Sequence, residues 1–247
     1  MQIAYSSDIG KSRAINEDFV SYFSNQNNQP LMLIGDGMGG HRAGDVASEM
    51  AVSHLGEAWK ETAFENVENV SSWLLNTIQK FNKLIFQKSL DFVDLDGMGT
   101  TLVAAAYVNE ELVIAHIGDS RAYLYRNFQL KQLTDDHSLV NELMKTGELT
   151  ETEARNHPQK NILTRSMGVK ERMQVDLTSV PIQKNDVLLL CTDGLSNLIE
   201  EEEIKKILKD WLPLEEKGEK MIALANEAGG TDNISVLLAN FLEDEEG

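Results

Sequence analysis

The chain has 247 residues, and its hydrophobic fraction of 42% is enough for a sizeable core in one or two domains. Acidic residues outnumber basic ones by 40 to 22, and the resulting net charge of -18 argues against nucleic acid or an anionic membrane as the main partner. A single cysteine excludes an internal disulfide framework, and the sequence has no signal-peptide pattern and no apolar run of about 20 residues. We therefore expect a cytoplasmic protein.

The first half of the chain is predicted to form three strands followed by two helices. Short strands are predicted at 2–8 and 18–24, and a continuously apolar strand at 31–36 runs into a glycine-rich turn. Apolar residues at three-four spacing then predict amphipathic helices at 43–59 and 67–91.

The second half is richer in strands. Four strands joined by short turns are predicted to form one antiparallel meander, at 100–108, 112–117, 122–126 and 129–133. A polar, irregular stretch follows at 134–171, with a short helix near 138–145, and such long loops are usually functional. The remaining predicted elements are strands at 173–180, 186–191 and 233–240 and helices at 200–209 and 213–228.

This order favours an α+β domain, because the helices occur in separate pairs rather than alternating with single strands. Two antiparallel sheets packed face to face, with helices on their outer faces, would bury every apolar face. The sequence shows no repeat or linker, so we expect one domain over 1–247, with an acidic tail at about 243–247 that is frayed.

Acidic residues recur beside or near glycine at the ends of predicted strands. Three of them, Asp36, Asp119 and Asp193, stand directly beside a glycine. Asp232 follows the segment GGT just before the last strand, and Glu17 and Asp18 form an acidic pair at the start of the second strand. A single Asp-Gly is a common turn, but several such carboxylates gathered at one rim would repel one another unless cations or protons neutralised them. The backbone carbonyl of Gly37 is a further oxygen ligand. Oxygen ligands without a Cys/His cluster indicate Mg²⁺ or Mn²⁺ rather than Zn²⁺.

Six motifs in the same order resemble the metal-dependent protein serine/threonine phosphatases, the PPM or type-2C family, in its bacterial single-domain form. They lie at 13–18 (RAINED), 36–41 (DGMGGH), 99–101 (GTT), 118–121 (GDSR), 192–195 (TDGL) and 230–233 (GTDN). The resemblance covers nearly the whole chain. It implies a four-layer α-β-β-α sandwich with a flap at about 134–171.

The resemblance also implies a centre with two Mn²⁺ or Mg²⁺ ions. Asp36 would bridge the ions, the carbonyl of Gly37 would bind one of them, and Asp193 and Asp232 would complete the other. Asp119, together with Asp193, would bind a weaker third ion. A water shared by the two main ions would attack the phosphorus atom.

Four further residues surround this centre in the resemblance. Glu17, with Asp18 beside it, would hold waters on the metal ions. Arg13 would bind the substrate phosphate, and the alternative for this residue is a surface salt bridge to Glu17. His41 is a candidate general acid, but it could equally cap the helix that follows, and water on a metal ion is the other proton donor. Two histidines of the flap, His137 and His157, are either solvated loop residues or substrate contacts.

The function implied is hydrolysis of phosphoserine and phosphothreonine in proteins. A catalytically silent phosphoprotein-binding domain and a phosphatase of small phosphorylated metabolites are the alternatives, because metal-centre motifs do not fix the substrate. The expected partners are phosphoproteins and an opposing serine/threonine kinase. We expect no nucleic acid or membrane partner, and a monomer.

Overall fold

The computed structural model describes residues 1–39 and 43–242, and within them the chain forms two antiparallel sheets flanked by helices. The strands are β1 (Gln2–Asp8), β2 (Asp18–Ser24), β3 (Pro30–Met38), β4 (Gly99–Thr100), β5 (Leu102–Val108), β6 (Glu111–Ile117), β7 (Arg121–Arg126), β8 (Gln129–Gln132), β9 (Asp176–Pro181), β10 (Val187–Cys191) and β11 (Ile234–Asn240). The helices are α1 (Ala43–Lys60), α2 (Val67–Asp91), α3 (Leu139–Lys145), α4 (Glu151–Arg155), α5 (Asp193–Ser196), α6 (Glu201–Lys209) and α7 (Leu214–Glu227).

The two sheets have different strand orders. One sheet runs β1-β11-β10-β7-β8, and the other runs β2-β3-β5-β6-β9, with the short β4 added beside β3. In the β2–β3 pair, Asp18 lies directly opposite Asp36. Two of the predicted acidic residues are therefore cross-strand neighbours.

Three apolar clusters hold the layers together. Side chains such as Met32, Ile34 and Leu190 fill the space between the sheets. A second cluster, which includes Trp59, joins α1 and α2 to the sheet that contains β3. A third, which includes Met221, joins α5, α6 and α7 to the other sheet. This arrangement confirms the predicted α-β-β-α sandwich.

Helix boundaries follow local capping chemistry. The helix α2 begins after Asn66, whose side-chain oxygen accepts a hydrogen bond of 2.9 Å from the backbone N–H of Asn69. In the flap, α3 begins after the capping residue Ser138. The helix α4 begins at a capping box formed by Thr150 and Glu153. The sequence pattern predicted α3 but not the five-residue α4.

The prediction of one four-stranded meander is wrong. The strand β5 pairs with β6, and β7 pairs with β8, but β6 and β7 lie in different sheets. The chain crosses between the sheets just after Gly118, whose φ of 104° few residues other than glycine adopt. Sequence alternation cannot show this change, because a strand has the same pattern in either sheet.

Two other expectations concern residues outside 1–39 and 43–242. His41 and the acidic tail at 243–247 lie outside the described residues. Within the described residues, no helix is long and apolar enough to cross a membrane.

Candidate metal centre

Asp36 lies inside β3 rather than at its end, which corrects the prediction of an open turn directly after it. The strand continues because Gly37 and Met38 pair with Thr100 and Gly99 of β4. The N–H of Asp36 donates to the hydroxyl of Thr101 at 2.9 Å, and its carbonyl accepts from the N–H of Thr101 at 2.9 Å. The backbone of Asp36 is therefore fixed on both sides.

Gly37 is the point at which three segments meet. A Cβ atom at this position would lie 2.1 Å from the carbonyl oxygen of Gly44 and 2.5 Å from that of Glu17. The N–H of Gly37 also donates to the carbonyl of Glu17 at 3.0 Å. The expected close approach of backbone is present here, and only glycine allows it.

Four other aspartates surround Asp36. Burial raises the pKa of Asp36 well above its ordinary value, and the charges of its acidic neighbours raise it further. Those neighbours are Asp18, Asp193, Asp119 and Asp232. The structure therefore brings together all five aspartates that the sequence analysis selected.

The cluster forms where the two sheets end side by side. Asp18 and Asp36 come from one sheet. Asp193 begins α5 and is separated from β10 by Thr192, and Asp232 is separated from β11 by Asn233; both of these strands belong to the other sheet. A buried hydrogen bond joins the two sheets here, because the hydroxyl of Thr192 donates to Oδ2 of Asp18 at 2.8 Å. Asp119 lies in the connection between β6 and β7, which crosses from one sheet to the other.

The donor set fits divalent cations. Among the described residues, Oδ1 of Asp18 and Oδ1 of Asp193 are buried without a hydrogen-bond partner. The carboxyl groups of Asp36 and Asp193 are neighbours, so they repel each other when both are ionised. Burial raises the pKa of Asp193, and the charge of Asp232 adds to this effect. Bound cations would remove this repulsion and occupy the free oxygen atoms.

Arg13 pairs with Asp232 rather than with Glu17. Its Nη2 atom lies 2.8 Å from Oδ2 of Asp232, and 47% of its side chain is exposed. Burial acts to lower the pKa of Arg13, but the charge of Asp232 and its hydrogen bond outweigh this and raise it. The guanidinium is therefore held beside the carboxylates while part of it stays open to solvent.

Glu17 is half-buried between two segments. Burial raises the pKa of its carboxyl group, although a hydrogen bond from the N–H of Gly44 opposes this effect. The carbonyl of Glu17 accepts from the hydroxyl of Ser48 at 2.6 Å, in addition to its bond from Gly37. Glu17 is thus attached to the start of α1 as well as to β3.

A cleft opens beside the cluster. It has a volume of about 700 Å³ and is lined by Asp119, Asp193, and flap residues that include Asn141, Arg155 and Lys160. A larger groove of about 890 Å³ lies on the outer side of α2, but none of the predicted site residues lines it. The smaller cleft is the one next to the aspartate cluster.

His137 of the flap packs with His116 of β6 and Asp176 of β9 in a histidine cluster that the sequence pattern did not predict. His137 is 1% exposed, so it is neither a solvated loop residue nor open to substrate. Its Nε2 lies 3.2 Å from Asp176, and its ring stacks on His116 at 4.7 Å. Its Nδ1 accepts the N–H of Gly118 at 3.1 Å, so the proton is on Nε2 and that atom is not a metal ligand.

Comparisons with known proteins find relatives that match nearly the whole chain. A family model described as "Protein phosphatase 2C" matches residues 10–239. Serine/threonine phosphatase stp of Listeria monocytogenes serotype 4b is 52% identical over 239 residues, which cover 96% of this chain and 95% of that protein.

Two solved structures are similar over nearly the whole chain. The S. agalactiae serine/threonine phosphatase has a TM-score of 0.94 and 42% identity, with coverage of 98% of this chain and 99% of the other. The catalytic domain of the protein phosphatase PstP, solved in complex with 2 manganese ions, has a TM-score of 0.87 and 33% identity, with coverage of 98% of both chains.

Proposed function

The chain belongs to the protein phosphatase 2C family, and from this premise we propose that it hydrolyses phosphoserine and phosphothreonine in proteins with the help of Mn²⁺ or Mg²⁺. The observation that carries the proposal is the cluster of Asp36 with four other aspartates, in which burial and the neighbouring charges raise the pKa of Asp36 and two buried carboxylate oxygens have no hydrogen-bond partner. The manganese complex of PstP supports the choice of metal.

Each ligand has a defined place in this proposal. Asp36 would bridge two ions, Gly37 would offer its carbonyl to one, and Asp193 and Asp232 would complete the second. Asp119 would hold a third ion together with Asp193. Asp119 lies in the connection between β6 and β7, and its carboxyl group is close enough to Asp193 for the charge of Asp193 to raise its pKa. Bound ions would supply positive charge beside the phosphoryl group and activate water for attack on phosphorus.

The protein side chains contribute binding and orientation. Arg13 would hold two phosphoryl oxygens with its planar guanidinium and stabilise the charge that develops on them. Glu17 and Asp18 would accept hydrogen bonds from water in the centre and so orient it. The flanking residues of a phosphopeptide would lie in the 700 Å³ cleft between the cluster and the flap. His41 stays a candidate donor of the proton to the leaving alkoxide.

The biological setting is part of the same proposal. A phosphoprotein phosphatase needs a kinase that phosphorylates its substrates, so we propose a serine/threonine kinase acting on the same proteins in the cytoplasm. The protein would act as a monomer, since the cluster, Arg13 and the cleft all come from one chain.

Hydrolysis of a phosphothreonine peptide tests the proposal directly. The wild type should release phosphate only when Mn²⁺ or Mg²⁺ is added, and Asp36→Asn should lose at least about 10³-fold in kcat, since metal ions contribute several kcal/mol. Asp186→Asn is the matched control, because Asp186 is also buried but pairs with Arg126, outside the cluster. It should keep its activity at temperatures where it is folded.

Three outcomes would contradict the proposal. A wild type that binds Mn²⁺ but releases no phosphate would favour the silent binding domain. Faster hydrolysis of small phosphorylated metabolites than of phosphopeptides would favour the metabolite phosphatase. Full activity of Asp36→Asn would remove Asp36 from the centre of the chemistry.

A further inference from the structure

The side chain of Asn233, next to Asp232, joins the metal centre to a distant segment of the chain. Asn233 is 4% exposed, and its amide makes three hydrogen bonds of 2.9 Å each. Its Oδ1 accepts from the N–H of Glu17, and its Nδ2 donates to the carbonyls of Ile9 and Ile15. All three partners lie in residues 9–17, more than 200 positions away in the sequence.

This segment, residues 9–17, carries Arg13 and Glu17 but has little structure of its own. It contains no helix or strand, and most of its residues are half-buried or exposed. Apart from Asn233, the hydrogen bonds and ion pairs of the described residues that join it to the surroundings of Asp232 are two backbone hydrogen bonds to the carbonyl of Gly230 and the ion pair of Arg13, and the backbone of Gly10 packs closely against that of Asp232. Few apolar contacts hold such a loop, so hydrogen bonds must set its position.

We infer that Asn233 is a positioning residue that fixes residues 9–17, and with them Arg13, relative to Asp232; Glu17 at the end of this segment is also held by Gly37 and Ser48. The inference rests on the proposed function, because it assigns Arg13 to the substrate phosphate. The amide is suited to this task because it can accept one hydrogen bond and donate two. Neither a carboxylate nor an apolar side chain could satisfy the same three backbone groups.

The test compares two buried asparagines that each make at least three side-chain hydrogen bonds. Asn25 is 5% exposed; its Oδ1 accepts from the N–H groups of Asn27 and Gln29, and its Nδ2 donates to the side chains of Gln29 and Thr62. None of these bonds reaches residues 9–17 or the flap at about 134–171. Asn25→Leu therefore removes a comparable set of buried hydrogen bonds without loosening Arg13.

The kinetic constants of Asn233→Leu should change in a way that those of Asn25→Leu do not. With saturating Mn²⁺ and a phosphothreonine peptide, Asn233→Leu should raise KM and the inhibition constant of inorganic phosphate by about tenfold or more, as expected when a charge-assisted bond to phosphate is weakened. Asn25→Leu should keep both constants within about twofold. Circular dichroism at the assay temperature shows which variants are folded, and Asn233→Ser replaces Asn233→Leu if the latter is not.

A double-mutant cycle separates positioning from general loss of stability. Arg13→Ala alone should raise KM, and adding Asn233→Leu should raise it by less than about a further twofold, since both changes disturb the same contact. Folded Asn233 variants with unchanged KM and phosphate inhibition, or effects that multiply with Arg13→Ala, would overturn the inference. Failure of the proposed function would look different, because the wild type itself would show no metal-dependent hydrolysis.

Discussion

Replacing Asp18 with asparagine should stabilise the metal-free protein. Asp18 is 7% exposed and lies opposite Asp36; its Oδ2 accepts a hydrogen bond from Thr192, and its Oδ1 has no partner. Burial raises the pKa of Asp18 to about 7, and the charges of Asp193 and Asp232 add to this effect. An asparagine side chain would keep the acceptor for Thr192 but could not ionise.

The magnitude follows from the difference in pKa. An aspartate in an unfolded chain has a pKa of about 3.9, so a folded value near 7 corresponds to roughly 4 kcal/mol at about 1.36 kcal/mol per pKa unit. The folded state binds the proton more tightly, so stability of the metal-free wild type falls as pH rises from about 4 to about 7. Asp18→Asn escapes this loss, and its advantage should be up to roughly 4 kcal/mol at pH 8 and roughly 1.5 kcal/mol at pH 5.

Urea unfolding in EDTA, followed by circular dichroism at both pH values, measures this advantage. Asp176→Asn is the control with the opposite sign: burial acts to raise the pKa of Asp176, but hydrogen bonding from His137 and the charge of Arg165 outweigh it and lower the pKa. That variant should be less stable than the wild type. Added Mn²⁺ should shrink the gain of Asp18→Asn, because cations stabilise the wild-type carboxylate. The reasoning is refuted if Asp18→Asn is the less stable protein at pH 8 in EDTA.

Three further predictions concern the metal ions and the backbone around them. Mn²⁺ at about 100 times its dissociation constant should stabilise the fold by about 2.7 kcal/mol, and a calorimetric rise in Tm of roughly 5–10 °C would show this; no rise would mean that the cluster does not bind the ion. Asp119→Asn should raise the Mn²⁺ concentration needed for half-maximal activity while keeping far more activity than Asp36→Asn, and equal losses in titrations of the two variants would place both in the same site. Gly37→Ala should prevent normal folding or Mn²⁺ binding, because the new Cβ would lie 2.1 Å from the carbonyl of Gly44; native-like Mn²⁺ binding measured by calorimetry would contradict this.

Most of the secondary structure could be predicted because it depends on local patterns. The three-four spacing of apolar residues gave α1 and α2 within a residue of their observed bounds, and β1 and β2 match their predicted ranges. The sheet to which β6 and β7 belong could not be predicted this way. Sheet membership is a property of distant partners, and the alternation of side chains is the same in either sheet.

The candidate site was also predicted only in part: its aspartates were identified, but the strand that carries Asp36 was predicted too short. Asp36 and Asp193 were found because each sits beside a glycine, and glycine marks places where backbones approach closely, as at Gly37 and at Gly194, whose Cβ would lie 1.9 Å from the carbonyl of Asn233. The extent of β3 beyond Asp36 was missed because its partner, β4, is only two residues long and lies some 60 positions away.

The residues that hold the site together are harder to read from sequence than the residues that form it. Thr192 bonds to Asp18 across 174 positions, and Asn233 bonds to Glu17 across 216. Both residues lie in motifs that the sequence shows, 192–195 (TDGL) and 230–233 (GTDN), but a motif does not reveal which distant donors and acceptors its side chains reach. The hydrogen bond from Thr192 also holds Asp18 in a buried position beside other carboxylates, where ionisation of Asp18 lowers the stability of the metal-free fold. The sequence therefore predicts the carboxylates that form the site, whereas the hydrogen bonds that position them can be identified only in the folded structure.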